Sequence, residues 1–260
     1  MPEPDAVLGP REGTVPPFRH TTARAWRLWR AFGVEQSDPA RFYGLLARDS
    51  ARHVASHLPG EGLRGQWVLD VGGGPGYFAD AFEGAGARYT PLDSDVGELS
   101  GLGDLQPGTV IGSGMQLPFA DGSFDVVYSS NVLEHVPEPW VMADEMVRVA
   151  KPGGLVFCSY TLWFGPWGGH ETSPWHLVLG GHRARRRYER KHGHPPKNVY
   201  GESMFAAKAA PGIRWARSRT DVDVVSIAPR YLPRWTHWVL RIPLLREAVT
   251  WNLAIVLRKR

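Results

Sequence analysis

The residues with the most chemical content run Val68-Leu69-Asp70-Val71-Gly72-Gly73-Gly74-Pro75-Gly76-Tyr77-Phe78. An apolar stretch ends at an acid, a glycine-rich turn follows, and helical spacing (Phe78, Ala81, Phe82, Ala85) begins at once. Glycine permits positive φ and lets a ligand approach main chain that any Cβ would shield. The opening helix adds unpaired N–H groups and a partial positive potential. Asp93 closes the next apolar run 23 residues after Asp70, a separation suited to an acid that holds both hydroxyls of a ribose. Asp95 competes for that role, but it lies beyond the strand end, where capping the next turn is the simpler task. The pattern predicts a site for a nucleoside-containing cofactor, with Asp70, Gly72, Gly74, Gly76 and Asp93 as its contacts.

Two cofactor classes use such a turn. Counted from Gly72, the dinucleotide fingerprint G-x-G-x-x-G places its third glycine at position 77, which is Tyr77. The spacing is instead D-x-G-x-G-x-G, which resembles motif I of the class I S-adenosylmethionine (SAM)-dependent methyltransferases. Leu117-Pro118-Phe119-Ala120-Asp121-Gly122-Ser123-Phe124-Asp125-Val126-Val127, Val132-Leu133-Glu134-His135-Val136 and Lys151-Pro152-Gly153-Gly154 are similar to further patterns of that family, in its type 11-like domain. The resemblance spans Trp67 to Tyr160. It implies SAM as cofactor, with the turn beside its methionine part and Asp70 placing the amino-acid moiety directly or through water. One departure stands out. Where the family often has an adenine-reading Asp, this chain has Gly112-Ser113-Gly114, so Ser113 or main chain near Met115 is expected to read the base. Asn131, after the fourth strand, is a further expected contact.

The elements that position these residues follow from periodicity. Strands are predicted at 67–71, 89–92, 109–111, 124–129, 155–160, 222–227 and 253–257, with a helix from about Pro139 to Ala150 bearing Trp140, Ala143, Val147 and Ala150 on one face. This alternation predicts an α/β fold, a doubly wound, seven-stranded, mostly parallel sheet of Rossmann-like methyltransferase type. Residues 1–20 read as a flexible arm, 21–62 as an N-terminal helical cover, and 63–260 as the SAM-binding domain. Within it, 161–219 is aperiodic and reads as a lid inserted after the fifth strand over the acceptor.

Ligands of doubly wound sheets sit outside the carboxyl ends of the strands. The segment after the fifth strand there carries Trp163, Phe164, Trp167 and Trp175 among glycines, with His170, Glu171 and His176 as titratable groups. If the acceptor is a hydroxyl, a proton must be removed, and imidazole suits that task. His170 beside Glu171 is the first expected base and His176 the second; a lid-pinning role for all three is as compatible with the sequence. The His170–His176 spacing has no third ligand except Glu171, so no metal site is expected. Tyr43 in the cover is a candidate contact or a core residue.

Composition bounds the rest. Hydrophobic residues at 43% and charged ones at 22% suit a chain with a real core and exclude a disordered or collagen-like one. Cys158 is the single cysteine, which excludes a disulfide framework. No 18-residue apolar run predicts a membrane span, and no secretory pattern precedes Pro17, so a cytoplasmic setting is expected. The Arg-rich segment His182–Lys191 would suit RNA or another polyanion, although Ser129-Ser130-Asn131-Val132 replaces the tetrad usual in base-amino methyltransferases. Trp235, Trp238, Val239 and Ile242 form a stripe beside Arg234 and Arg241 that would suit peripheral contact with a membrane surface. The expected function is SAM-dependent methylation, at oxygen, of a small or lipophilic acceptor. An RNA methyltransferase and a non-catalytic SAM-binding regulator are the alternatives.

Overall fold

The computed structural model describes residues 18–33, 38–95, 97 and 108–260. The expected arm lies outside the described residues as far as position 17; Phe18 stacks on His53 at 4.0 Å between ring centroids. Helix α1 (Thr22–Phe32) starts at Thr21, whose side chain accepts the Arg24 N–H, and α2 (Pro39–Ala55) starts at Asp38, which accepts from Arg41 N–H. Pro39 opens α2, where its missing N–H costs nothing.

The sheet strands are β1 (Trp67–Val71), β2 (Arg88–Asp93), β3 (Val110–Ile111), β4 (Phe124–Ser130), β5 (Ala150–Thr161), β6 (Val222–Pro229) and β7 (Asn252–Lys259). Their order is β3-β2-β1-β4-β5-β7-β6, with β7 antiparallel to both neighbours and the pairings among β1 to β5 all parallel. Strand order reverses between β1 and β4, so the turns leaving these two strands flank the crevice where doubly wound sheets take ligands. Helix α3 (Ala79–Glu83) follows β1, and α4 (Pro139–Val149) precedes β5. One core joins Leu28, Phe42, Leu46, Phe82, Tyr128 and Phe157 under α1, α2 and α3. A second joins Met142, Met146, Val147, Val156, Ile213 and Ile255 on the opposite face.

Two features depart from the sequence reading. Lys151-Pro152-Gly153-Gly154 lies inside β5, where the pairing jumps from Phe124↔Ala150 to Val126↔Leu155. Pro152 cannot donate to the ladder and Gly153 sits at φ +76°, so the run forms an irregularity within the strand. The aperiodic stretch 161–219 holds three helices, α5 (Trp175–Leu179), α6 (Gly181–His192) and α7 (Ala209–Ser218). Glycine and proline punctuate it so densely that no single period survives. A last helix, α8 (Pro243–Ala248), precedes β7.

The cover is fastened by buried charge. Arg24 of α1 grips Asp49 of α2 in a two-point pair, Nε to Oδ1 at 2.8 Å and Nη2 to Oδ2 at 2.5 Å, and its Nη1 donates to the Arg230 carbonyl at 2.9 Å. Arg230, fully buried just past β6, donates to the hydroxyls of Ser50, Ser130 and Ser159. Removing one member of a buried pair strands the other. Asp49→Ala is expected to cost about 3–5 kcal/mol in denaturant unfolding. Asp223→Ala, which breaks the exposed pair with Arg260, should cost less than about 1 kcal/mol. Equal losses would refute the anchoring role.

Candidate active site

The turn after β1 is shaped by neighbours on one side and open on the other. Gly72 has φ +81°, and a Cβ there would lie 2.4 Å from a Val132 methyl, so this glycine serves the contact between the turn and the segment after β4. Gly74 has φ +51° and Gly76 φ +88°, and among the described residues a Cβ on Gly74 would meet nothing within 4 Å. With respect to the described residues the main chain at Gly74 is therefore open, as close ligand approach requires.

Asp93, half-buried at the end of β2, leans back over this turn. Its Oδ2 accepts the Gly74 N–H and its Oδ1 the Asp95 N–H, both at 3.0 Å. Each oxygen keeps acceptor capacity for a diol. Asp95 takes the local turn instead, accepting the Gly97 N–H.

Asp70 is buried and receives the Tyr89 hydroxyl. Burial pushes its carboxyl up to about 7, with the Asp93 charge adding to the rise while the Tyr89 bond and Arg230 oppose it. Asp70 thus stands behind the turn and not on its open face. The Ser113 hydroxyl, exposed, accepts the Met115 N–H at 3.2 Å and shapes its own turn, while Met115 packs on the core. Gly114 rests against Val71 and Met142, which sets this turn beside the end of β1. Asn131 has φ +58°, donates its N–H to the Ser159 carbonyl and accepts Asn252 Nδ2 at 2.7 Å, joining the ends of β4, β5 and β7.

The three residues expected to manage a proton separate. His176 is buried with Nε2 against the Trp163 carbonyl at 3.0 Å and Nδ1 against the Ser173 hydroxyl at 3.3 Å, and a Cβ on Gly169 would strike its ring. Both nitrogens are thus engaged within the segment that follows β5, the arrangement that the lid-pinning alternative describes. Glu171 accepts from Asn198 at 3.0 Å and does not orient His170. His170 keeps a buried Nε2 without a hydrogen-bond partner. Burial lowers its pKa to about 4, with His135 adding to the fall, so the ring is neutral and weakly basic at neutral pH.

Three residues outside the sequence-derived set complete the region. Tyr89 and Arg230 stand alone in the sequence and carry no local signal; Glu134 entered the sequence reading only as part of the family-like run Val132-Leu133-Glu134-His135-Val136, with no role of its own. Tyr43 stacks on Tyr77 of the turn at 4.8 Å, placing the cover over it. Phe32, Trp167 and Trp251 form a ring wall between cover and lid, Phe32 on Trp167 at 5.0 Å and Trp167 on Trp251 at 4.9 Å.

A methyltransferase-domain family model matches residues 69–158. An uncharacterized methyltransferase from Mycobacterium marinum is 50% identical over 249 residues, covering 93% of this chain and 96% of that protein. The chain belongs to the class I SAM-dependent methyltransferases. A relative from Mycobacterium avium, also an uncharacterized methyltransferase, is 51% identical, covering 92% of this chain and 96% of its own. In fold, the SAM-dependent methyltransferase of Mesorhizobium loti superposes with a TM-score of 0.53 at 17% identity, covering 82% of this chain and 98% of that one. SAM is the cofactor of this methyltransferase, and the open main chain at Gly74 with the carboxylate of Asp93 beside it fits a ribose and its attached chain.

Asp93→Ala is expected to weaken SAM binding about tenfold or more in calorimetry, the scale of one lost charge-assisted bond. Gly72→Ala should instead lower the melting temperature by forcing Val132 away; an unchanged SAM affinity in Asp93→Ala would remove the ribose assignment. Asp70 gives a pH signature. Its native pKa, raised from 3.8 to about 7, means that the folded state binds more protons than the unfolded one in that window. Stability without cofactor should therefore fall as pH rises from about 4 to 7, and Asp70→Asn should flatten that slope. A wild-type slope retained in Asp70→Asn would assign it to another group.

Proposed function

We propose that this methyltransferase transfers its methyl to a hydroxyl of a small or lipophilic acceptor held at the carboxyl ends of β4 and β5. SAM supplies a methyl carbon made electrophilic by the sulfonium that carries it. The protein must then align the acceptor oxygen, exclude water and provide for the hydroxyl proton. The observation carrying the reading is the ring wall of Phe32, Trp167 and Trp251 above these strand ends, an apolar lining suited to a lipophilic body.

The outer surface supports delivery from a membrane. Trp235 is 70% exposed, Trp238 51% and Leu244 83%, beside Arg234, Arg241 and Arg246. Trp235 also reaches Thr22 at 3.4 Å, so its surface continues into the face of α1 that carries exposed Trp26. Aromatic rings and arginines on one face suit an anionic bilayer surface. Among the described residues no helix is long and apolar enough to cross a membrane. The Arg-rich helix α6 supports a polyanion less well. Arg185 is paired with Glu189 and Glu202, and Arg187 lies over the Trp175 ring at 4.0 Å.

With methyl-labelled SAM and a lipid extract, label should enter an organic-soluble product that resists mild alkali, as an ether does and an ester does not. Phe32→Ala and Trp167→Ala should each raise acceptor KM about tenfold while leaving SAM affinity unchanged. Label entering RNA instead, with retention that falls as salt rises, would overturn the acceptor assignment.

A further inference from the structure

In the turns that follow β4 and β5 the structure gathers a donor set that the sequence spacing concealed. Glu134 and His135 lie in the 3-10 turn Leu133–His135 after β4, and His170 lies in the 3-10 turn His170–Thr172 after β5. One ligand-capable atom from each lies within 4.8 Å of the other two. We propose that Glu134, His135 and His170 bind a divalent transition-metal ion of the zinc class, reversing the expectation of a metal-free site. Its role in turnover rests on the hydroxyl-acceptor reading above; the binding itself does not.

Each residue is prepared for this task by what it already touches. Glu134 is 2% exposed and its Oε1 accepts the Thr161 N–H at 3.0 Å, while its Oε2 is buried without a partner. Leaving such an oxygen unsatisfied is costly unless something positive meets it. His170 presents Nε2, likewise buried and unpartnered. His135 Nδ1 sits 2.8 Å from the Ser203 carbonyl. A carbonyl only accepts, so Nδ1 carries the proton and Nε2 the lone pair, the arrangement by which a backbone carbonyl orients a metal-ligating imidazole. The two imidazole rings meet edge to face at 5.0 Å. Small side-chain rotations bring three such donors to the roughly 2.0–2.2 Å of zinc–nitrogen and zinc–oxygen bonds.

Two imidazoles and one carboxylate leave a coordination position open, as catalytic zinc sites do. An acceptor hydroxyl entering that position has its proton acidified, and the proton leaves to water. The oxygen lone pair then forms the O–CH3 bond as the C–S bond of SAM breaks, its electron pair staying on sulfur to give the uncharged demethylated cofactor.

The test titrates EDTA-treated full-length protein with Zn2+ by calorimetry and with Co2+ by visible absorption. The expected result is one equivalent bound, with Co2+ giving the intense bands of a low-symmetry nitrogen–oxygen field. His170→Ala and Glu134→Gln should each weaken the metal at least about tenfold while SAM affinity stays at the wild-type value, which shows the fold intact. Absence of stoichiometric binding, or binding that neither substitution moves, overturns the site. Equal turnover of metal-free and metal-loaded enzyme overturns its role in activating the acceptor. Because the titrations need no acceptor, a failed lipid assay leaves their outcome legible.

Discussion

A guanidinium buried with no carboxylate paired to it among the described residues organises the upper half of this molecule. Arg230 donates to three serine hydroxyls, from α2, β4 and β5, and at 3.4 Å to the Tyr128 hydroxyl, while its carbonyl holds Arg24 and, through Arg24, Asp49. A charge taken out of water at that cost stays only if every surrounding group is in place. The cover helices, two central strands and the end of β6 are therefore held in one arrangement. The same strand ends carry Asn131 and Thr161, so the polar groups of the site inherit their positions from this knot.

The cofactor half rests on a different constraint, steric more than electrostatic. Val132 presses on Gly72 so closely that a methyl group would displace it, and the turn is kept shallow as a result. Gly74, two residues further on, is left bare toward the crevice while Asp93 clamps its N–H. Two glycines in one motif thus do different work: the first yields to the protein interior and the second to the ligand. Tyr89 and Asp70 seal the back of the turn, where a protonated acid is as stable as an ionised one near neutrality.

Much of this was legible in the chain itself. Strand β1 shows at its stated limits because Val68, Leu69 and Val71 make a short apolar run that the glycine turn cuts off, and the spacing of Asp70, the glycines and Asp93 points to a nucleoside-containing cofactor. Local patterns missed what depends on partners far away in sequence. His176 looks like a candidate base until Trp163 and Ser173 are seen occupying its ring. Glu134 and His135 gain meaning only when His170, brought from the far side of β5, faces them. Arg230 has no neighbour in sequence that hints at burial; its serines come from positions 50, 130 and 159. The lid hid its helices because Gly and Pro break up most of it, and the one long uninterrupted stretch, 182–192, is nearly all basic and polar and so carries no apolar period.

The stacked rings of Tyr43 and Tyr77 bear on how the enzyme exchanges its cofactor. In its second half α2 is locked by the ionic contacts of Asp49, whereas its first turns rest on the core through Phe42 and Leu46 and meet the glycine turn through the stacked rings of Tyr43 and Tyr77, a contact worth on the order of 0.5–1.5 kcal/mol. Parting the two tyrosine rings uncovers the glycine turn while Phe42 and Leu46 keep the helix seated on the sheet beneath, so the route past the rings is separate from what holds the helix down.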